Sequence, residues 1–577
     1  MVDRGWISIN VNMLSLGIFP PSPYEHVLVS QPKGFEAVRR LGPLISFDVV
    51  KEWLDFCRNH HTKDCVPRED SKTTSSMPSF KLIECATRKI VQLDQPYTAL
   101  SYVWGDNTEA STPFLSEVGQ TLPSELPNTI EDAIQATEKL GFGYLWVDRF
   151  CINQGNREEL AEKIPRMDLI YNNAELTIVA AVGEDPEYGL PGIRPRRIDQ
   201  PQGKIGKHYL ISTMIDPVEF IKESKWMTRG WTYQEGLLSR RRLIFTYQQI
   251  YYECSGMYCC EALNFPLASL HTQNQQHFKF SFCCGNNTRL FPRRLGRTGW
   301  EVCERIKDYS LRSLKKDADI LDGFMGILRS LEHGPRKLQH CLGVPVLPPP
   351  AMRFGKKEKD DENRDRAITE WSPTAGLCYG LCWGTVSPFT SHTGIRARRE
   401  GFPSWSWTGC KTRIKWPYEE RNMRHIPEIR VRLKRQNGPP ILWENFDQVY
   451  NARDLLVANT LLIAGWVTDL EYTSGQDQRL YFKLRSVEGK ELDWWFDLTV
   501  EPLADFPESW KALHFAHEFG GATHTIALLI HFTPSGSYKR LGINSTISIR
   551  KPGEYGRILF LKTPPNIEKS WQEFQLS

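Results

Sequence analysis

Residues 97–105, YTALSYVWG, form a run without a single charge, closed by a glycine. A strand with one wet face alternates apolar and polar residues, whereas a strand covered on both faces has no need to. The same texture returns at 144–148, YLWVD, and at 176–183, LTIVAAVG. Between these runs the spacing turns helical. TIEDAIQATEKLG (129–141) is amphipathic; Thr129 can cap it, Asp132 stands at the reciprocal capping position, and Gly141 suits its stop. REELAEKIPRMDLIYNNA (157–174) sets Leu160, Ile164, Met167 and Tyr171 on one stripe, with a kink expected at Pro165. Short apolar strands alternating with helices imply an α/β fold, a parallel sheet flanked by helices.

Outward from this core the texture changes. Residues 1–40, rich in Pro, Gly and polar residues, read as a loose arm, and 41–96 as a helical and strand region with a helix at 47–61. The segment 66–79 is a loop by composition, and 80–93 alternates like a strand or hairpin. Residues 184–228 read as a surface excursion. A further helix begins at RGWTYQEGLLSRR (229–241), and RLIFTYQQIYYEC (242–254) is a strand pair. The α/β block therefore spans 97–236. A mixed extension covers 237–345, helical at 301–332; a Pro-rich and charged linker covers 346–368; and 369–577 is a C-terminal region, mainly β from about 440.

At 577 residues, 40% hydrophobic and 24% charged, the chain is a globular protein of two to four domains. A net charge of +4 from 72 basic and 68 acidic side chains argues against nucleic acid or a membrane surface as the main partner. No apolar run approaches the ~18–20 residues of a spanning helix. The start of the sequence lacks the pattern of a secretory signal, and its 14 cysteines are scattered, so reduced thiols in a cytoplasmic setting are expected.

Three blocks, YTALSYVWGD (97–106), LWVDRFCINQGNREE (145–159) with MDLIYNNAELTIVAAVG (167–183), and RGWTYQEGLLS (229–239), resemble the signature blocks of the fungal heterokaryon incompatibility (HET) domain in order and spacing. WLDFCRNHHTKDC (53–65) and GFPSWSWTGC (401–410) resemble stretches that accompany it. Asn156, where the family usually has an acidic residue, Lys163, where it often has Gln, and Pro165 depart from the pattern and bear on the second helix. The resemblance implies a cytoplasmic domain that triggers programmed cell death on non-self recognition, a form of fungal innate immunity. With no Walker-type loop and no repeat array, the chain looks like a stand-alone effector, expected to self-associate. The HET domain is in turn similar to TIR domains, of flavodoxin-like fold, some of which hydrolyse NAD through a Glu four residues after a Trp. Trp231 and Glu235 have that spacing.

Glu235 is accordingly the candidate catalytic residue, and the alternative is a carboxylate favouring a helix start through the dipole. No cofactor is expected; NAD would enter as substrate. Cleaving its nicotinamide–ribose bond needs a carboxylate that stabilises an oxocarbenium-like centre. Tyr102, Trp104 and Gly105, after the first strand, Asp148, after the second, Arg229 and Trp231 are candidate ligand-binding residues at the edge where open α/β sheets bind. Arg229 could hold phosphate or pair with Asp148; Trp104 could stack on a base or simply pack. Cys151 has no His in the blocks to activate it and reads as a buried thiol. Cys57, His61 and Cys65 form C-x3-H-x3-C, with Cys85 as a conceivable fourth ligand. Cys254, Cys259, Cys260, Cys283 and Cys284 with His271 and His277 form a second group. Neither has the tight Cys pairs of strong zinc sites, so no metal is expected. RRR (240–242) and RRLGR (293–297) read as solvated basic faces.

Overall fold

A computed structural model describes residues 9–10, 27–30, 38–67, 80–105, 116–195, 200–206, 208–279, 289–293, 295, 299–333, 337–348, 372–385, 398–416, 429–435, 439–445, 457–476, 479–485, 491–498, 509–519, 522–533, 536–544, 548–549, 559–560 and 569–577. Most of the 1–40 arm, residues 68–79, the 346–368 linker from 349 onward, parts of RRLGR, and Cys283 and Cys284 lie outside them. The chain divides into two compact units, one of residues 1–295, 312–314 and 322–330, the other of 296–311, 315–321 and 331–577.

The first unit begins with β1 (Ile9–Asn10), β2 (Val27–Ser30) and α1 (Phe47–His60), followed by the hairpin β3 (Leu82–Glu84) and β4 (Lys89–Val91). Strands and helices then alternate: β5 (Tyr97–Ser101), α2 (Asn128–Lys139), β6 (Tyr144–Trp146), α3 (Asp148–Cys151), α4 (Arg157–Lys163), α5 (Met167–Asn173) and β7 (Leu176–Ala180). After β8 (Gln202–Ile205), β9 (His208–Ser212), α6 (Pro217–Glu223) and α7 (Lys225–Thr228) come α8 (Gly230–Leu238), β10 (Arg241–Phe245), β11 (Ile250–Cys254) and β12 (Tyr258–Cys260). The stretch 184–228 is thus more than a surface excursion: β9 pairs with β2, and Leu190, Ile193, Ile211, Ile221 and Trp226 are buried.

One sheet of eight strands, in the order β12-β11-β10-β7-β5-β6-β3-β4, carries the unit. Its centre is parallel: Ala99 faces Trp146 on β6 and Thr177 on β7, and Thr177 faces Arg242 on β10. The flanking hairpins add antiparallel edges. Counted along the chain, the parallel strands lie second, first, third, fourth. Right-handed crossovers then put α2 on one face and α5 and α8 on the other. Accordingly α2 packs on β5 and β6, and α8 packs on β5 and α5. Connections leave β5 and β7 in opposite directions, which opens a crevice beyond their carboxyl ends.

Pro165 breaks the second helix as expected, leaving a 3-10 turn (Ile164–Arg166) between α4 and α5. Asn156 takes over the start of α4, its Oδ1 accepting from the Glu158 and Glu159 N–H groups at 3.0 and 3.1 Å. The family departure at this position therefore keeps a working cap.

The arginines at 240–242 contradict their reading as a solvated face: they are 5%, 4% and 2% exposed. Helix ends supply the reason. Arg240 donates to the carbonyls of Asn172, Asn173 and Ala174 at the end of α5, and Arg242 to those of Gly236 and Ser239 at the end of α8. These carbonyls have no partner within their helices and carry the negative end of the dipole. Glu175 and Glu253 complete the neutralisation.

The second unit holds a nine-stranded sheet. The long strand Val457–Gln476 pairs with both Arg479–Arg485 and Trp510–Phe519, so six of the strands close into a ring. Leu480, Phe482, Trp494, Phe496 and Leu529 fill the enclosed core. The GFPSWSWTGC stretch is structural: Trp405 and Trp407 are fully buried, and the Trp407 indole donates to the Gly343 carbonyl at 2.7 Å.

Asp132 is not a helix-capping residue. α2 begins at Asn128 after Pro127 with no side-chain cap, and Thr129 accepts from the Gly189 N–H instead. The fully buried Asp132 accepts from the Leu190 N–H and from Arg194 Nε, both at 2.8 Å, and so pins the 189–194 loop to the helix. Asp132→Ala should therefore destabilise the unit by about 2–3 kcal/mol, by stranding a buried N–H, rather than the ~1 kcal/mol of a lost cap. Thermal melting of the full chain measures this; a loss no larger than a cap's would contradict the assignment.

Candidate functional site

Two carboxyl groups close enough to feel each other's charge stand at the carboxyl edge of the parallel strands. Asp148 follows β6 as the first residue of α3. Its Oδ2 accepts from Trp104 Nε1 at 2.9 Å, and its Oδ1 accepts from the Arg149 N–H at 2.7 Å. Trp104, three residues past β5, thus reaches over to the neighbouring strand's end. Glu235 enters from α8, the helix that crosses back to β10. Ser101 Oγ, on the last residue of β5, donates to Glu235 Oε2 at 2.5 Å and accepts from Trp226 Nε1 at 2.7 Å. The Tyr171 hydroxyl of α5 stands 3.2 Å from the Leu100 carbonyl and within reach of the Glu235 carboxyl as well.

Burial dominates the electrostatics. It pushes Glu235 from 4.5 up to about 7; the Asp148 charge adds to the rise, and Ser101, Arg229 and Tyr171 oppose it. Burial likewise raises Asp148 from 3.8 to about 6, against the Arg149 N–H, Trp104 and the charge of Arg229. Near neutral pH this pair can exchange a proton with a bound molecule.

The other sequence candidates fall around the pair. Arg229 Nη1 donates to the Tyr102 carbonyl at 3.4 Å, and its charge reaches both carboxyls. Among the described residues the buried Tyr102 hydroxyl has no hydrogen-bond partner, and it lies amid the charges of Asp148, Arg149, Arg229 and Glu235. Trp104, Asp148, Arg229 and Trp231 are partly exposed, whereas Glu235 is only 6% exposed. Trp231 lies one turn before Glu235 on α8. Gly105 turns the chain at φ 82°, and a Cβ there would press on Asp185 and Pro186 at 3.2 and 3.3 Å, so its part is steric. Cys151 is inert: its Sγ accepts from the Val147 N–H, and burial pushes its thiol up to about 12.

Sequence reasoning missed Ser101, Trp226 and Tyr171. Ser101 left one signal, a hydroxyl ending an apolar strand; Tyr171 was absorbed into an apolar stripe, and Trp226 lay in the supposed excursion. A second cluster joins the three residues of one expected group to a member of the other: Cys57, His61, Cys65 and Cys254 bring their ligating atoms within 4.8 Å of one another. Cys85 is not among them.

Residues 97–235 match the family model described as "Heterokaryon incompatibility protein (HET)". A curated relative, heterokaryon incompatibility protein 6, OR allele, of Neurospora crassa, is 31% identical over 93 residues, 14% of each chain. The chain thus covers about 14% of that relative's length. No solved structure matches.

The raised carboxyl makes a pH prediction. Between pH 4.5 and about 7 the native protein keeps a proton on Glu235 that the unfolded chain has released, so stability falls as pH rises through that window. The shift from 4.5 to about 7 corresponds to about 3 kcal/mol. Glu235→Gln, uncharged throughout, should escape this loss and gain on the wild type by that order between pH 5 and 8. Denaturant midpoints at the two pH values check it; parallel profiles for the two proteins would contradict it.

Proposed function

We propose that this chain, which carries a HET domain over residues 97–235, acts in fungal non-self recognition and triggers cell death by hydrolysing NAD after self-association in the cytoplasm. The observation that carries the reading is the Asp148–Glu235 pair at the carboxyl edge of the sheet, with both carboxyls raised toward neutrality. The second-first-third-fourth strand order is the one flavodoxin-like sheets use, and their ligand lies where connections diverge. Trp231 and Glu235 share one helix four residues apart, the spacing of NAD-hydrolysing TIR domains.

The chemistry suits such a pair. Nicotinamide already leaves as a neutral molecule from a cationic linkage, so the C1′–N bond breaks without an added acid. Ionised Glu235 would stabilise the oxocarbenium-like centre. Water then supplies the new C1′–O bond, and its proton passes to a carboxylate and on to solvent, giving nicotinamide, ADP-ribose and H⁺. Arg229 would hold the diphosphate, Trp104 would offer a ring face, and the Tyr102 hydroxyl would donate to the ligand. Glu235 is 6% exposed in the single chain, so substrate needs the crevice to open, and assembly is the step that would open it. The same burial favours a second reading, a non-enzymatic recognition module in which Glu235 only ties α8 to the sheet.

Glu235→Gln separates the two. It should abolish death on overexpression and slow NAD loss about a hundredfold or more, on the order of 3 kcal/mol in barrier. Glu138→Gln, an exposed carboxylate of α2, is the control and should keep both activities. Asp132 is unsuitable for that purpose, because it is a buried structural group. A folded Glu235→Gln protein that kills at the wild-type dose would leave only the second reading.

A further inference from the structure

Independently of NAD chemistry, we infer that Cys57, His61, Cys65 and Cys254 form a tetrahedral zinc site that clamps the segment before the first parallel strand to the far side of the sheet. The four side chains are 0–1% exposed, and their ligating atoms lie within 4.8 Å of one another. A zinc ion with Zn–S of about 2.3 Å and Zn–N of about 2.0–2.1 Å sets its ligand atoms about 3.5–3.8 Å apart, which this cluster accommodates. Three thiolates and one imidazole, all buried, are the chemistry of a closed structural site for a soft-tolerant, redox-inert divalent ion.

The surroundings orient the imidazole for this purpose. His271 Nδ1 lies 2.6 Å from the Leu267 carbonyl, which can only accept, so the proton sits on Nδ1 and Nε2 is an acceptor. His61 Nε2, 3.0 Å away, must then donate to it. That leaves the His61 Nδ1 lone pair facing the sulfurs, 3.3 Å from Cys254 Sγ. A ligating imidazole held by a hydrogen bond on its other nitrogen is the usual support of a zinc site. Behind the ring, a Cβ at Gly256 would stand 2.4 Å from His61 Cε1, so only glycine admits the imidazole there. Arg241 Nε donates to Cys57 Sγ at 3.1 Å, a cation placed against the net negative charge of a zinc ion with three thiolates.

Spacing within 57–65 argues against a metal because it lacks a tight Cys pair. The fold answers by bringing the fourth ligand from the end of β11, Cys254, 193 residues from His61. Fixing contacts so distant in sequence removes a large loop-closure freedom from the unfolded chain.

The test is elemental analysis of the full chain purified under reducing conditions without chelator. One zinc per chain is expected, released by a thiol-blocking mercurial and replaceable by cobalt(II) with the intense visible absorption of a tetrahedral thiolate site. Cys57→Ser with Cys254→Ser should hold less than about a fifth of the wild-type zinc, Cys85→Ser should keep it all, and His61→Cys should keep zinc while changing the cobalt spectrum. His271→Ala should bind roughly 10–100-fold more weakly. Should the double variant not fold, the wild-type zinc content and cobalt spectrum decide alone. A wild-type chain that carries no zinc and takes up none when it is added would overturn the inference. So would full zinc content in a folded Cys57→Ser, Cys254→Ser protein.

Discussion

The Ser101 hydroxyl donates its single proton to Glu235 and receives the Trp226 indole N–H, and these two bonds fix α8 and the chain before it against the end of β5. Ser101 is the last residue of the strand from which connections diverge, so the bonds sit where the crevice opens. Without the hydroxyl, a buried carboxyl and a buried indole N–H would both lose a partner, at about 1–3 kcal/mol each. Burial at this point keeps Glu235 out of water and raises it to about 7, against the Ser101 bond. A carboxyl held this way weakens the fold near neutral pH.

A second constraint runs along the opposite end of the sheet. Arg240 and Arg242 satisfy the carbonyl ends of α5 and α8, the two helices that share a face of the sheet. Arg241, between them, faces the cysteine cluster and donates to Cys57 Sγ and the Cys65 carbonyl. Three consecutive arginines thus join helix ends, acidic partners and the 57–65 segment, which explains how so much charge is tolerated inside the unit.

The parallel centre was legible in the sequence because its strands are short, apolar and covered on both faces, and this texture marks 97–101, 144–146 and 176–180 unambiguously. Pro165 announced its break for the same local reason. Non-local demands were not legible. Asp132 has the spacing of a capping residue, yet a loop 58 residues onward claims its carboxylate. Arg240 looks like part of a basic face until a helix end 68 residues away accepts its guanidinium. At the site, Asp148 and Trp104 were found because each ends an apolar run, and they do meet. Ser101 and Tyr171 were hidden inside runs whose apolar neighbours dominated the pattern. Cys254 carried no local sign of its partners, since a ligand set split between a helix end and a distant strand has no spacing to read.

The central claim is that the edge bearing Asp148 and Glu235 cleaves NAD. Its most direct measurement is chromatographic detection of nicotinamide and ADP-ribose formed by the purified full chain over a range of protein concentrations. The account predicts equimolar release of both products, with a rate per chain that steepens as the protein assembles. Release of neither product at any concentration, from a folded chain that demonstrably self-associates, would contradict it.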